Sequence, residues 1–270
     1  MDNSVSKQGE WALIAGASEG LGSAFAHELA SRGFNVVLIA RNQAKLDLVS
    51  ASIKETYDVE VKVIQADLSR NQDLEVIKNA CEALSVSMFV YNAAYSIINP
   101  FLSQDISDHK KTITVNCESL TDLVYHFANK MKIKRRGGII LMSSMSSLQG
   151  SPLIASYAAS KAYIRILGES LWYEMKSLNV DVLVCCAGAT STPNFIKSKP
   201  EQQSKFAPPV MTPESVVKET ISKLGTQPFL IPGRSNRIAS FFMNLFMGNK
   251  EKVNVMGKTM YKMYPQNIED

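Results

Sequence analysis

Short apolar runs of strand length recur at intervals of about 25 residues, and the segments between them carry apolar residues at three- and four-residue spacing. This alternation restricts the fold more than any other feature. A strand that rejoins its sheet after a helix runs parallel to its neighbour, and right-handed crossovers wind such units into one sheet with helices on both faces. The strand candidates are Trp11 to Ala15, Asn35 to Ala40, Val59 to Gln65, Met88 to Tyr91, Gly138 to Met142, Val180 to Cys185 and Phe229 to Ile231. Most are continuously apolar, as strands covered on both faces are. Leu21 to Ser31, Gln43 to Thr56 and Gln72 to Leu84 read as crossover helices, each with one apolar stripe. The expected class is α/β, a doubly wound parallel sheet of about seven strands.

A length of 270 residues fits one large domain or two small ones. No linker, internal repeat or charge block interrupts the rhythm, so a single domain over residues 1–270 is the economical reading. Hydrophobic residues at 46% and charged residues at 20% exclude a disordered chain. A formal charge of +4, scattered along the sequence, gives no nucleic-acid footprint, whereas a phosphate pocket accounts for it as readily. Cys81, Cys117, Cys185 and Cys186 lack metal-site or redox spacing and read as buried, reduced thiols. His27, His109 and His126 fall on separate helices without a carboxylate or cysteine cluster, so no metal is expected. Met1 to Glu10 is polar, and no apolar run nears the roughly 20 residues of a membrane span; a cytoplasmic location is expected.

Chemistry enters at the end of the first strand. Gly16, Ser18, Glu19, Gly20, Leu21 and Gly22 form a G-x-x-x-G-x-G turn leading straight into a helix. Glycines let the backbone approach a pyrophosphate, and the free N–H groups of the following helix attract its charge. After the second strand the sequence has Arg41 where an acidic residue would bind the ribose hydroxyl of NAD. An arginine pairs bidentately with the extra 2′-phosphate of NADP, so NADP(H) is preferred while NAD(H) stays open; the duller reading is a solvated arginine before a helix. Asp67 and Leu68 follow the third strand, where Asp67 either caps a helix or meets the adenine amino group.

The strongest signal is Tyr157 with Lys161, four residues apart on one helical face. At about 4 Å and an effective dielectric near 20, the ammonium favours the phenolate by on the order of 4 kcal/mol. That is enough to bring a phenol from about 10 toward neutrality, which makes proton exchange at working pH feasible. Ser144 lies at the end of a strand thirteen residues upstream.

Together the glycine turn, Asn92 with Ala93 and Ala94, Asn116, Ser144 and the Tyr157–Lys161 pair resemble the short-chain dehydrogenase/reductase superfamily over about residues 10 to 235. The resemblance implies a Rossmann-like fold and a nicotinamide cofactor. It implies that Tyr157 is the general acid in carbonyl reduction, Ser144 holds the carbonyl, Lys161 lowers the phenol pKa and grips the nicotinamide ribose, and Asn116 supports a water relay behind the lysine. Asn92, Ala93, Gly188, Thr190 and Thr192 take cofactor-binding positions. Three departures stand out: Asn92-Ala93-Ala94 has alanine where the family usually has glycine, Ala187 replaces the usual proline before Gly188, and Glu19 stands where NADP-preferring relatives are often basic, leaving Arg41 most of the discrimination. The family also implies a homodimer or homotetramer.

Residues 193–211 read as a substrate lid. Apolar walls are expected from Phe195, Ile196, Phe206 and Val210, with Tyr95, Ile97, Phe101, Leu148, Leu153 and Ile154. Such a pocket suits a lipophilic ketone, a 3-oxoacyl or steroid-like substrate, better than a sugar. Residues 234–265 form an amphipathic helical extension, which either packs over the lid or another subunit or touches a membrane surface. Two other functions remain open: a cofactor-binding sensor or scaffold without turnover, and an NAD-linked alcohol dehydrogenase.

Overall fold

A computed structural model of the protein describes residues 9–198, 200 and 209–267. Seven parallel strands form one sheet in the order β3-β2-β1-β4-β5-β6-β7. They are β1 Trp11–Ala15, β2 Asn35–Ala40, β3 Val61–Gln65, β4 Val86–Tyr91, β5 Gly137–Ser144, β6 Val180–Ala187 and β7 Phe229–Leu230. The expected runs are all present, with shifted ends: β3 starts two residues late, while β5 and β6 extend through the residues expected to begin the following turns.

The helices cover both faces, as continuously apolar strands require. On one side α1 (Gly20–Ser31), α2 (Gln43–Thr56) and α8 (Pro213–Lys223) bury Phe25, Leu29, Leu46, Ile53, Val216 and Val217 against the sheet. On the other, α3 (Asn71–Ala80), α5 (Ser119–Lys134) and α6 (Ala155–Lys176) bury Leu74, Ile77, Leu120, Phe127 and Ile164. The remaining helices are α4 (Ile106–Ile113), α7 (Pro193–Lys197), α9 (Arg234–Phe246) and α10 (Asn249–Met263).

The stretch carrying Asn116 is not one uninterrupted α-helix. A π-turn over Thr114–Glu118 separates α4 from α5. It inserts one extra residue per hydrogen-bonded ring and turns the side chains there off the regular face. The buried Tyr91 hydroxyl donates to the Val115 carbonyl within it.

Candidate active site

Strand order reverses between β1 and β4, and the crevice beyond their C-terminal ends is where a doubly wound sheet takes a ligand. It opens into a cleft of about 1610 Å³. Every cofactor-binding residue expected from the sequence lines this cleft except Gly22. Gly22 lies behind it for a steric reason: a Cβ there would stand 1.8 Å from the Gly16 carbonyl oxygen. Gly16 itself has φ +84°, and its Cβ would fall 2.7 Å from the Ala93 nitrogen. Asn92 Nδ2 donates to Gly16 O at 2.9 Å, and Ala93 N donates to Ala15 O at 2.8 Å, which locks the turn to β4.

These features fit a dinucleotide pyrophosphate. The turn is bare of side chains where backbone must approach, and Glu19, the residue before α1, makes no side-chain capping bond to its first turn. The N–H groups that begin α1 thus keep their capacity for an anion. Glu19 instead forms an ion pair with Lys45 of α2, which also lines the cleft. The motif reading passed over Lys45 because its proximity to the turn is tertiary.

Asp67 is not the cap of α3, which begins after Arg70. Its carboxylate accepts from Ser69 N at 3.0 Å and Ser69 Oγ at 2.8 Å. Burial opposes its ionisation, but those bonds and the charges of Lys111 and Arg41 outweigh it and hold the carboxyl below its ordinary range. Leu68 is buried beside it and accepts from Ser119 Oγ through its carbonyl.

At the centre of the cleft β5 ends at Ser144, whose hydroxyl accepts from Ser146 N at 3.2 Å. Tyr157 projects from the first turn of α6. One turn on, Lys161 is 2% exposed, donates to the Met142 carbonyl at 2.7 Å and stands 5.5 Å from the Tyr157 ring centroid. The expected acidification of the phenol by Lys161 is absent from the protein alone. Burial pushes Tyr157 up to about 12, with the Ser144 hydroxyl pulling the other way. Burial likewise draws the Lys161 ammonium down to about 8.

Asn116 does not line the cleft. It is fully buried in the π-turn, where Oδ1 accepts from Tyr95 N at 2.8 Å and Nδ2 donates to Tyr95 O at 3.0 Å and Ser160 Oγ at 2.9 Å. Ser160 Oγ in turn donates to the Tyr157 carbonyl at 2.7 Å. Asn116 therefore braces the backbone beneath Tyr157, with both amide hydrogens given to protein groups. His109 adds a second brace, with Nδ1 against Ser156 Oγ at 2.7 Å and Nε2 against Phe101 O at 3.0 Å.

On the far rim, Thr190 Oγ1 donates to Gly188 O at 3.1 Å, and Thr192 Oγ1 caps α7 by accepting from Phe195 N at 3.3 Å. Of the expected apolar walls, Tyr95, Leu148, Ile154 and Phe195 line the cleft. Ile196 points away, 64% exposed, because a helical step of about 100° separates it from Phe195. Ile98 faces the cleft in place of Ile97, Phe101 stacks on His109, and Leu153 is buried against Met260 and Tyr264. Val210 is also outside the lining. Phe206, within residues 201–208, lies outside the described residues.

The missing walls come from the C-terminal extension. Met243 of α9, Met256, Met260 and Met263 of α10, and Tyr264 line the cleft, joined by Met145. No local motif announces them; methionine spacing on two helices reads equally well as ordinary core. Asn267 Nδ2 fastens this end by donating to Ile98 O at 2.6 Å and Asn99 Oδ1 at 2.8 Å. The extension thus packs over the cleft, while the outer face of α9 leaves Phe241, Leu245 and Phe246 at least 60% exposed. No helix among the described residues is long and apolar enough to cross a membrane.

A parallel sheet with a glycine phosphate turn at its switch point, and a serine, tyrosine and lysine converging beside it, defines an oxidoreductase built around a nicotinamide dinucleotide. The chain belongs to the short-chain dehydrogenase family, whose model matches residues 10–203. It is 33% identical over 231 residues to a 7beta-hydroxysteroid dehydrogenase of Clostridium sardiniense, covering 86% of this chain and 88% of that protein. It is 34% identical over 224 residues to a very-long-chain 3-oxoacyl-CoA reductase of Anas platyrhynchos, covering 81% and 70%. A solved structure from work on 7beta-hydroxysteroid dehydrogenase stereoselectivity superposes with a TM-score of 0.86 at 31% identity, covering 93% of this chain and 97% of that one. A short-chain dehydrogenase from Sphingobium yanoikuyae in complex with NADPH gives 0.76 at 25% identity, covering 87% and 92%.

Proposed function

We propose that the protein is a cytoplasmic, NADPH-dependent reductase of a lipophilic ketone, with a steroid-like or 3-oxoacyl body. The observation that carries this reading is the convergence of Ser144, Tyr157 and Lys161 on one cleft that begins at the glycine turn and Arg41 and ends in a methionine-lined wall. Reduced nicotinamide supplies a hydride when bound. Ser144 and Tyr157 then aim two hydroxyl donors at the carbonyl oxygen, where negative charge grows, so both stabilise the transition state more than the ground state. A phenol held near 12 is protonated at neutral pH, which suits Tyr157 to give its proton to the nascent alkoxide. Lys161 grips the ribose, and Asn116 holds the Tyr157 turn through Ser160.

Arg41 carries the preference for NADPH: its side chain is exposed at the cleft and makes no ion pair with a carboxylate among the described residues. The methionine wall, deformable and apolar, favours a fatty or fused-ring body over a sugar. Tyr125 and Ile133 of α5 with Tyr173 of α6, each more than 70% exposed, offer a homodimer face. The apolar outer face of α9, between Arg234 and Lys250, suits weak contact with an anionic lipid surface. Flotation with liposomes tests that contact, and protein left in the pellet fraction would discard it.

The central test is NADPH consumption against a panel of ketones by wild type and Tyr157→Phe. Turnover lost by about 10³-fold with cofactor binding retained is the expected outcome. Binding without turnover in either protein would favour a sensor, and equal or tighter binding of NADH would favour an NAD-linked alcohol dehydrogenase.

A further inference from the structure

Among the described residues, three other than glycine have positive φ: Arg135, Leu153 and Asn179. Arg135 and Asn179 are exposed and follow helix ends, where a left-handed residue is an ordinary stop. Leu153 is different: it has φ +65°, is 3% exposed and stands just before α6, four residues ahead of Tyr157. In that conformation the Cβ crowds the following carbonyl, so a bulky residue keeps it only where its surroundings over-determine it. Those surroundings are the C-terminal extension. Leu153 packs with buried Met260 and Tyr264, and its carbonyl accepts from Asn99 N at 2.9 Å. Asn267 Nδ2 fastens Asn99 in turn by donating to its Oδ1 at 2.8 Å. Helix α10 presses on the same turn, since a Cβ on Gly150 would lie 3.2 Å from Val253 Cγ2. Directly after Leu153, Ala158 N donates to Ile154 O at 2.8 Å and closes the turn that carries Tyr157. Tyr264 also reaches the opposite rim, its hydroxyl 3.3 Å from Ser198 Oγ at the end of α7. Met260, Tyr264 and Ser198 line the cleft, whereas Leu153 does not.

We propose that Leu153 is a positioning residue for Tyr157, held left-handed by the seat that Tyr264 and Met260 make, so that the proton donor stands in place only while the C-terminal extension is closed over the cleft. The inference rests on the reductase reading given above. Without that seat, Leu153 relaxes toward the negative φ that its Cβ favours. Only Ile154 separates it from α6, so the change of dihedral passes into the first turn of the helix. A misplacement of about 1 Å at a reacting group is enough to slow a reaction by about 100-fold. A lipophilic substrate that touches Met260 and Tyr264 favours the closed extension, and with it the strained turn. Filling the cleft thus completes the geometry that acts on the substrate.

The alternative is that Leu153 merely fills space, and glycine separates the two. Glycine adopts positive φ without strain, yet it leaves a larger void and a looser chain than alanine. Turnover is measured at saturating NADPH with a ketone that the wild type reduces, for Leu153→Ala, Leu153→Gly, Tyr264→Ala and the double variant Leu153→Gly with Tyr264→Ala. NADPH dissociation constants and thermal melts accompany each. Leu153→Ala loses the seat and keeps the strain, so kcat is expected to fall about tenfold, whereas Leu153→Gly should stay within about threefold of wild type. Tyr264→Ala should lower kcat about tenfold on its own and less than about twofold beside Leu153→Gly, where nothing needs holding. The Kd for NADPH should hold in both Leu153 variants, because Leu153 lies outside the cleft lining. The proposal is overturned by wild-type turnover in Leu153→Ala, by a Leu153→Gly slower than Leu153→Ala, by NADPH binding lost in step with kcat, or by an equal effect of Tyr264→Ala in both backgrounds. Should Leu153→Ala fail to fold, the two Tyr264→Ala proteins decide alone. A wild type that reduces no ketone would instead overturn the reductase reading, and is recognised before any substitution is made.

Discussion

The two ends of the cleft are built on different principles. At the nucleotide end the working surface is backbone: the Gly16 turn is pinned to β4 by Asn92 and Ala93, and four consecutive core residues of β1 are completely buried beneath it. At the substrate end the surface is side chain: methionines from α9 and α10 close the cleft over a small cluster formed by Leu153, Met260 and Tyr264. Backbone surfaces tolerate almost no added atom, whereas flexible thioethers repack around what they meet. One end therefore recognises a fixed ligand, and the other is free to change ligand with a few substitutions.

The sharpest test of this contrast is Gly22→Ala. The new methyl would collide with the Gly16 carbonyl, whose backbone cannot retreat without breaking the turn. We expect dinucleotide binding to fall by more than about 100-fold and stability by about 1–3 kcal/mol, read by fluorescence titration and thermal melting. A variant that binds normally would show the nucleotide end to be as pliant as the other.

Next in size is Asn116→Ala, which leaves Ser160 and both backbone groups of Tyr95 without their partner. Loss of a buried polar brace costs about 1–3 kcal/mol per orphaned group, so kcat should drop by about 10- to 100-fold. The Kd for NADPH should hold, because Asn116 does not line the cleft; equal losses in both would mean a general collapse.

A pH profile gives a smaller effect. Lys161, drawn down to about 8, is charged below that pH and discharges as pH rises through it, while Tyr157, near 12, keeps its proton throughout. Reductive turnover should decline severalfold between about pH 7 and pH 9.5. A rate that stays level to pH 10 would remove the ammonium from the reaction.

The mildest perturbation is Met260→Ala at the pliant end. It should raise KM for lipophilic ketones a few-fold and lower stability by about 2 kcal/mol, with NADPH affinity untouched. Steady-state kinetics over a series of ketone sizes would register it, and an unchanged KM across the series would separate α10 from substrate recognition.

The same contrast explains what could be read from the sequence. The sheet was legible because continuous apolar runs such as Val36 to Ile39 have one common solution, and the glycine turn because steric demand is local. Tyr157 and Lys161 were legible because helical spacing fixes who shares a face. Lys45 was hidden by the 26 residues between it and Glu19, and the methionine wall by helices that pack onto the cleft from far along the chain. The acidity of Tyr157 was hidden for a related reason: spacing brought Lys161 close, but only tertiary structure could reveal how far burial raises the phenol.

The wide turn at Thr114–Glu118 gives up helical regularity to deliver one amide to the right place. Deleting one residue there would complete an uninterrupted α-helix with a more regular ladder, yet swing the amide of Asn116 by about 100° away from the start of α6. Such a chain would gain a straighter backbone and forfeit both a buried anchor and the footing of its proton donor.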